Sequence, residues 1–175
     1  MAELQDFTIN FGRMKLGKHE LTYDIDASFL SLFDYDAIEQ CSSKVNLLID
    51  KARANLLTFY FNLEGTAALA CDRCLDVLPY EVSGEYKFIL KLEHQESTDD
   101  EIVYLAPDAY EINVAAYIFD FQILSLPFKK DCIRDNHPSC QEVDRILLQG
   151  SSDTSEDIDD EDDVDPRWND LKKLL

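Results

Sequence analysis

The sequence predicts an α+β domain: an antiparallel sheet or partial barrel with helices packed on it, followed by a disordered acidic run and a short C-terminal helix. Three observations point there. Apolar and polar residues alternate through several segments before residue 93, as in strands covered on one side. From Glu111 the apolar spacing lengthens to that of a helix. After Gly150 the composition turns abruptly acidic. Strands first and helices after is the order of an α+β domain rather than of repeated strand–helix units. The expected organisation is a domain over residues 1–150, an acidic linker over 151–164 and a terminal helix over 165–175.

The elements follow in order. "LTYDIDASFL" alternates in its first half, and Phe29, Leu30, Leu32 and Phe33 then suggest a short helical turn. "KVNLLIDKA" puts Val45, Leu47 and Ile49 on one face, with Asn46 and Asp50 on the other. "NLLTFYFNLEG" does the same with Leu57, Phe59, Phe61 and Leu63, and is expected to end at Gly65. "YEVSGEYKFILKLE" has the most regular alternation, with Tyr80, Val82, Tyr86, Phe88, Leu90 and Leu92 facing one way. "HQESTDDE" reads as a polar loop, and "IVYLA" as a short strand that Pro107 ends. In "EINVAAYIFDFQILSLP", Ile112, Ala115, Ala116, Phe119 and Ile123 fall at helical spacing, with apolar groups around most of the circumference. That predicts a helix largely buried against the sheet and stopped by Pro127. "SCQEVDRILLQG" predicts a second helix with Ser139 as cap, Glu142 at the capping-box position and Gly150 as the stop.

Charge narrows the function classes. Asp and Glu total 36 against 16 Lys and Arg, a formal net charge of -20. Nucleic-acid binding normally needs clustered cations that release counterions, so any RNA contact must be local or made through a basic protein. The N-terminus, "MAELQDFTIN", lacks the basic and apolar regions of a secretory signal, and no apolar run is long enough for a membrane span. Five cysteines, an odd number, argue against a closed disulfide framework. A soluble, reduced, cytoplasmic protein is the expectation.

Residues 151–165 carry nine acidic residues and no basic one, too little apolar area to offset the entropy of ordering. They read either as a solvated linker or as a polyanionic arm for a basic protein. In "DPRWNDLKKLL", Pro166 suits a first helical turn capped by Asp165, and Trp168, Leu171, Leu174 and Leu175 share one face. A short amphipathic helix on a tether is suited to docking.

The chemistry concentrates in "CDRCLD", residues 71–76. A redox dithiol needs its first cysteine at a helix N-terminus, and the residues that follow here have period two. Zinc suits a tight turn between strands, where both sulfurs can point inward. The remaining ligands would come from "KKDCIRDNHPSC": Cys71, Cys74, His137 and Cys140 would make a Cys3His site, with Cys132 as the alternative fourth ligand. Small buried thiols are the competing assignment, and Cys41 has no partner in either motif. No nucleophile–base series or phosphate-cradling glycine loop accompanies them, and His19 and His94 are isolated. A metalloenzyme would need a general base, for which the sequence offers nothing better than Glu64 or Asp72. An enzyme is not expected.

"CDRCLDVLPYEV" after a strand, "ILSLPFKK" closing a helix and "DPRWNDLKKLL" at the C-terminus resemble the YceD family, with "FTINFGRMKLGKHELTYDID" extending the likeness over nearly the whole chain. The resemblance implies a non-catalytic role in making or maintaining large-subunit (23S) ribosomal RNA. Relatives carry a cysteine-rich knuckle after the "SLP" segment; here only Cys132, His137 and Cys140 stand there, as in a Bacteroidetes-like branch with a reduced knuckle. A structured hairpin tip presenting Arg73 outward is then the first expectation for CDRC, and a zinc site the second. A local basic patch of Arg73, Lys129, Lys130 and Arg134 would form if the tip met the loop after Pro127. Arg167, Trp168, Lys172 and Lys173 would give the terminal helix a second contact. The expected partner is a precursor of the large subunit, through its rRNA or a basic ribosomal protein. An acidic chaperone for a basic ribosomal protein and a small zinc-binding interaction module are the alternatives.

Overall fold

A computed structural model describes residues 4–35, 37, 38, 40–95, 101–132 and 138–150, with 148–150 described by backbone alone. The chain divides into two units, Met1–Cys132 and Ile133–Leu175. The expected acidic linker and terminal helix lie outside the described residues, as do His137, Arg134, Arg167, Trp168, Lys172 and Lys173.

The first unit is built on a five-stranded open sheet: β2 (Gly17–Asp26), β3 (Cys41–Arg53), β4 (Leu56–Ala70), β5 (Val77–Leu92) and β6 (Ile102–Leu105), adjacent in that order. Before it, β1 (Thr8–Ile9) pairs with β7 (Ile112–Asn113) in a separate two-stranded ribbon. The first four strands of the main sheet are antiparallel neighbours, whereas β6 runs parallel to β5, with Ile89 opposite Ile102. Alternation decides the faces as expected. Val45, Leu47, Ile49, Leu57, Phe59, Phe61, Leu63, Phe88 and Leu90 are all buried on one side. Gly65 does not end a strand, because β4 continues through it to Ala70 in unbroken register with β5.

Helix α1 (Ala27–Ser31) turns the chain from β2 and buries Phe29 and Leu30. Asp26 caps it: one carboxylate oxygen accepts from the Ser28 hydroxyl at 2.6 Å and from the Phe29 amide at 3.1 Å. The Ser28 hydroxyl, with the Phe29 amide, holds this carboxyl below its ordinary value. Asp26→Ala should cost about 1 kcal/mol, read as a lower urea midpoint at neutral pH. Because the folded carboxyl is the stronger acid, the cap's contribution is present at neutral pH and fades as pH falls through the folded value, so the two midpoints converge in acid.

Helix α2 (Ala115–Leu124) lies on the inner face of the sheet. Its Phe121 ring sits 5.0 Å from Phe61 and stacks on Tyr86 at 4.4 Å, while Tyr117 meets Phe88 at 4.6 Å. Two expectations are corrected here. The helix starts at Ala115, since Ile112 and Asn113 are taken by the ribbon, where the Asn113 carboxamide donates to Leu4 O and Thr8 Oγ1 and accepts from Ala115 N. Nor is it largely buried: only Ala115, Ile118 and Gln122 are, and Leu124 is exposed. Its remaining aromatic residues cover the core edge half-buried. No helix among the described residues is long and apolar enough to cross a membrane.

In the second unit, α3 (Pro138–Gly150) begins at the proline, whose missing N–H costs nothing at a first helical position. Ser139 is therefore inside the helix rather than its cap. Glu142 instead pairs with Arg145 one turn on, at 3.4 Å.

Candidate metal centre

Ala70 and Val77 form the last pair of the β4–β5 hairpin, and the six residues between them make its tip. Cys71 N donates to Asp76 O at 2.9 Å, and Leu75 N to Cys71 O at 3.0 Å, so the chain reverses around the first cysteine. Leu75 accordingly takes a left-handed backbone, φ 65, a conformation an exposed leucine adopts only where the turn imposes it. The same reversal aims backbone N–H groups at the first sulfur: Arg73 N donates to Cys71 Sγ at 3.5 Å.

The tip is fastened to the segment behind α2. Asp72 N donates to Lys130 O at 2.6 Å, and Lys130 N returns a bond to Asp72 Oδ2 at 2.8 Å. The Lys130 ammonium adds an ion pair at 3.4 Å. This staple holds the Asp72 carboxyl below its ordinary value, chiefly through the Lys130 amide and secondarily through the Lys130 charge. It also delivers Cys132 to the first two cysteines. Cys74 Sγ and Cys132 Sγ are 3.6 Å apart, and the sulfurs of Cys71, Cys74 and Cys132 all lie within 4.8 Å of one another. Every cysteine of the chain is a thiol rather than half of a disulfide.

The donor set fits a soft tetrahedral ion. With Zn–S bonds of about 2.3 Å, the sulfur–sulfur edge of a tetrahedron is about 3.8 Å, close to the separation seen between Cys74 and Cys132. The electrostatics fit as well. Backbone N–H groups of Cys74, then Arg73 and Cys132, outweigh burial and hold the Cys71 thiol down to about 6, so its thiolate is available near neutral pH. Tyr80 records the same field: burial first, then the negative charge of Cys71, Cys132, Asp131 and Asp72, pushes its phenol up to about 12. Its hydroxyl is buried with no hydrogen-bond partner among the described residues.

The sequence-derived set is thus partly reassembled. Cys71 and Cys74 sit together as expected, and Cys132, considered only as the alternative fourth ligand, joins them. Cys140 lies in the first turn of α3 and is buried. Cys41 belongs to the core of β3, where it contacts Ser43 Oγ at 3.6 Å. The tip and the post-Pro127 segment do meet. Arg73 is half-buried rather than presented outward, Lys129 pairs with Asp131 at 2.7 Å, and Lys130 with Asp72. The cations at this end are therefore interleaved with acids. Sequence reasoning missed the Asp72 staple and Tyr80; no local signal links Asp72 to a partner 58 residues on.

A family model described as "Large ribosomal RNA subunit accumulation protein YceD" matches residues 59–175, more than half of the chain and all of the cysteine motifs. No curated protein and no solved structure matches.

Proposed function

Since the chain belongs to the YceD family, we propose that it is a non-catalytic cytoplasmic factor of large-ribosomal-subunit biogenesis, supporting the accumulation of large-subunit ribosomal RNA. The observation that carries this is the family match, whose description names that RNA and no reaction. The cysteine cluster gives the role a physical form. Zinc, when bound, cross-links the hairpin tip to the segment behind α2. Cys71, Cys74 and Cys132 hold it through three thiolates, the soft donors zinc favours, and His137 and Cys140 are the sequence's candidates for the fourth position.

Arg73, Lys129 and Lys130 beside the cysteines form a contact toward the precursor particle, to which the sequence adds Arg134. Arg167, Trp168, Lys172 and Lys173 of the terminal segment form a second. Sedimentation of native lysate through a low-salt sucrose gradient tests both. The full chain should co-migrate with large-subunit precursors, and deletion of residues 165–175 should move most of it to the top without lowering its thermal midpoint. A full chain found only at the top overturns the assembly role. An undiminished truncated chain removes the terminal contact alone.

A further inference from the structure

The face of the main sheet turned away from the core carries a concavity of about 500 Å³ across β2, β3, β4 and β5. Register explains its lining. Glu20 pairs with Leu48, and Leu48 with Tyr60; in the next row Asn46 pairs with Asn62, and Asn62 with Glu85. The buried neighbours Leu47 and Phe61 face the core, so these six side chains share the opposite face. Tyr60 is 44% exposed there. No cation lines the concavity, and neither Glu20 nor Glu85 has an ion-pair partner among the described residues. Lys87, opposite Tyr60, is directed to Glu101 at 3.7 Å.

We infer that this face binds an extended basic segment of a protein, with arginine or lysine side chains four residues apart. Glu20 and Glu85 stand on the first and fourth of four neighbouring strands, so about 14 Å separates their strands at roughly 4.8 Å per spacing. Four residues of extended chain cover about 14 Å, at roughly 3.4 Å each. One cation then reaches each carboxylate. Between them the Tyr60 ring offers its face to a guanidinium and Leu48 receives an aliphatic stem. The Asn46 carboxamide oxygen accepts from Thr22, and the Asn62 amide donates to Glu64. That leaves the Asn46 amide and the Asn62 oxygen for the partner's main chain. A nucleic-acid strand would meet two carboxylates and no cation, which its phosphates disfavour.

The inference deepens the proposed role by giving its partner a chemistry, and rests on that role only for where such a segment is met. Its test needs no particle. The probe is an acetylated, amidated peptide with two arginines separated by three serines, titrated into the isotope-labelled full chain at low salt. Amide shifts should concentrate on residues 20–22, 46–48, 60–62 and 85–86. The Glu20→Gln/Glu85→Gln double variant should bind about tenfold more weakly, since rim charges set such contacts. Shifts confined to the acidic run 151–165, unchanged affinity of the double variant, or the same shifts produced by a single-stranded RNA oligonucleotide would each overturn it. Because the mapping uses the unaltered chain, a misfolded variant does not obscure the outcome. Failure here leaves the sedimentation result standing, and failure of sedimentation leaves the peptide map standing.

Discussion

Cys74→Ser should empty the chain of zinc. Metal analysis of protein purified without chelators is expected to give one zinc per chain for the natural sequence and almost none for the variant. Loss of one of the three clustered thiolates should weaken affinity by about a hundredfold or more. Cys41→Ser is the control, since that thiol lies in the β3 core against Ser43 and should leave the metal content unchanged. The sheet has its own apolar core, so the variant should stay folded, unlike an isolated zinc finger. Its loss should be local: faster hydrogen exchange at residues 71–76 and 128–132, with protection across β3 and β4 retained. The pH dependence has a definite sign. Cys71 is held down to about 6, below the ordinary thiol value near 8.5, so its contribution to folding is full above that ordinary value and declines as pH falls. It is lost below about pH 6, where protons also compete with the ion and zinc should be released. Natural-sequence protein isolated without metal, and unchanged by Cys74→Ser, would instead establish these residues as small buried thiols.

What the sequence disclosed and what it withheld divide along a physical line. Period-two alternation is local, so Val45, Leu47 and Ile49, or Phe59, Phe61 and Leu63, announced both strand and buried face. The family motifs were likewise local, and the match over residues 59–175 bears out the family they pointed to. Pairings between distant segments left no such trace. Ile112 and Asn113 have helical company in sequence but strand company in space, because Thr8 and Ile9 claim their backbone groups. The parallel placement of β6 beside β5 is a pairing that "IVYLA" itself does not announce. Burial of α2 was overestimated because its aromatic residues read as core, whereas Tyr117, Phe119 and Phe121 lie half-exposed at the core's edge. At the metal centre the Cys-x-x-Cys turn was legible, but the ranking of Cys132 was not. Its place is decided by the Asp72–Lys130 staple, which spans 58 residues. The outer-face concavity was invisible for the same reason, since Glu20 and Glu85 come to line one face only through three strand pairings.

Gly65→Ala should be among the most destabilising single-methyl changes available to this chain. Gly65 reads in sequence as a stop, yet it stands inside β4, opposite Ser43 on one side and Val82 on the other. It belongs to the inward-facing row of that strand: Phe61 and Leu63 before it, and Ala67 and Leu69 after it, are buried on the same face. A Cβ there would overlap the backbone of Ser42 and Ser43 and come 2.5 Å from Ser43 Oγ. A glycine within a strand commonly marks such a close backbone approach. Two paired strands must part to admit the methyl group, so a loss of about 3 kcal/mol is expected, at the upper end for overpacking. Gly84→Ala is the informative comparison. Its Cβ would meet the Tyr86 ring at 2.5 Å, the far end of a side chain that can swing at the expense of its stacking on Phe121. That should cost about 1 kcal/mol, the scale of an aromatic pair. Urea unfolding of the three proteins orders them: natural sequence, Gly84→Ala, then Gly65→Ala, with unchanged slopes. Equal midpoints for Gly65→Ala and the natural sequence would show that β3 and β4 do not approach so closely. If the order holds, the glycine is what lets one uninterrupted hairpin run from the core to the tip that carries Cys71 and Cys74.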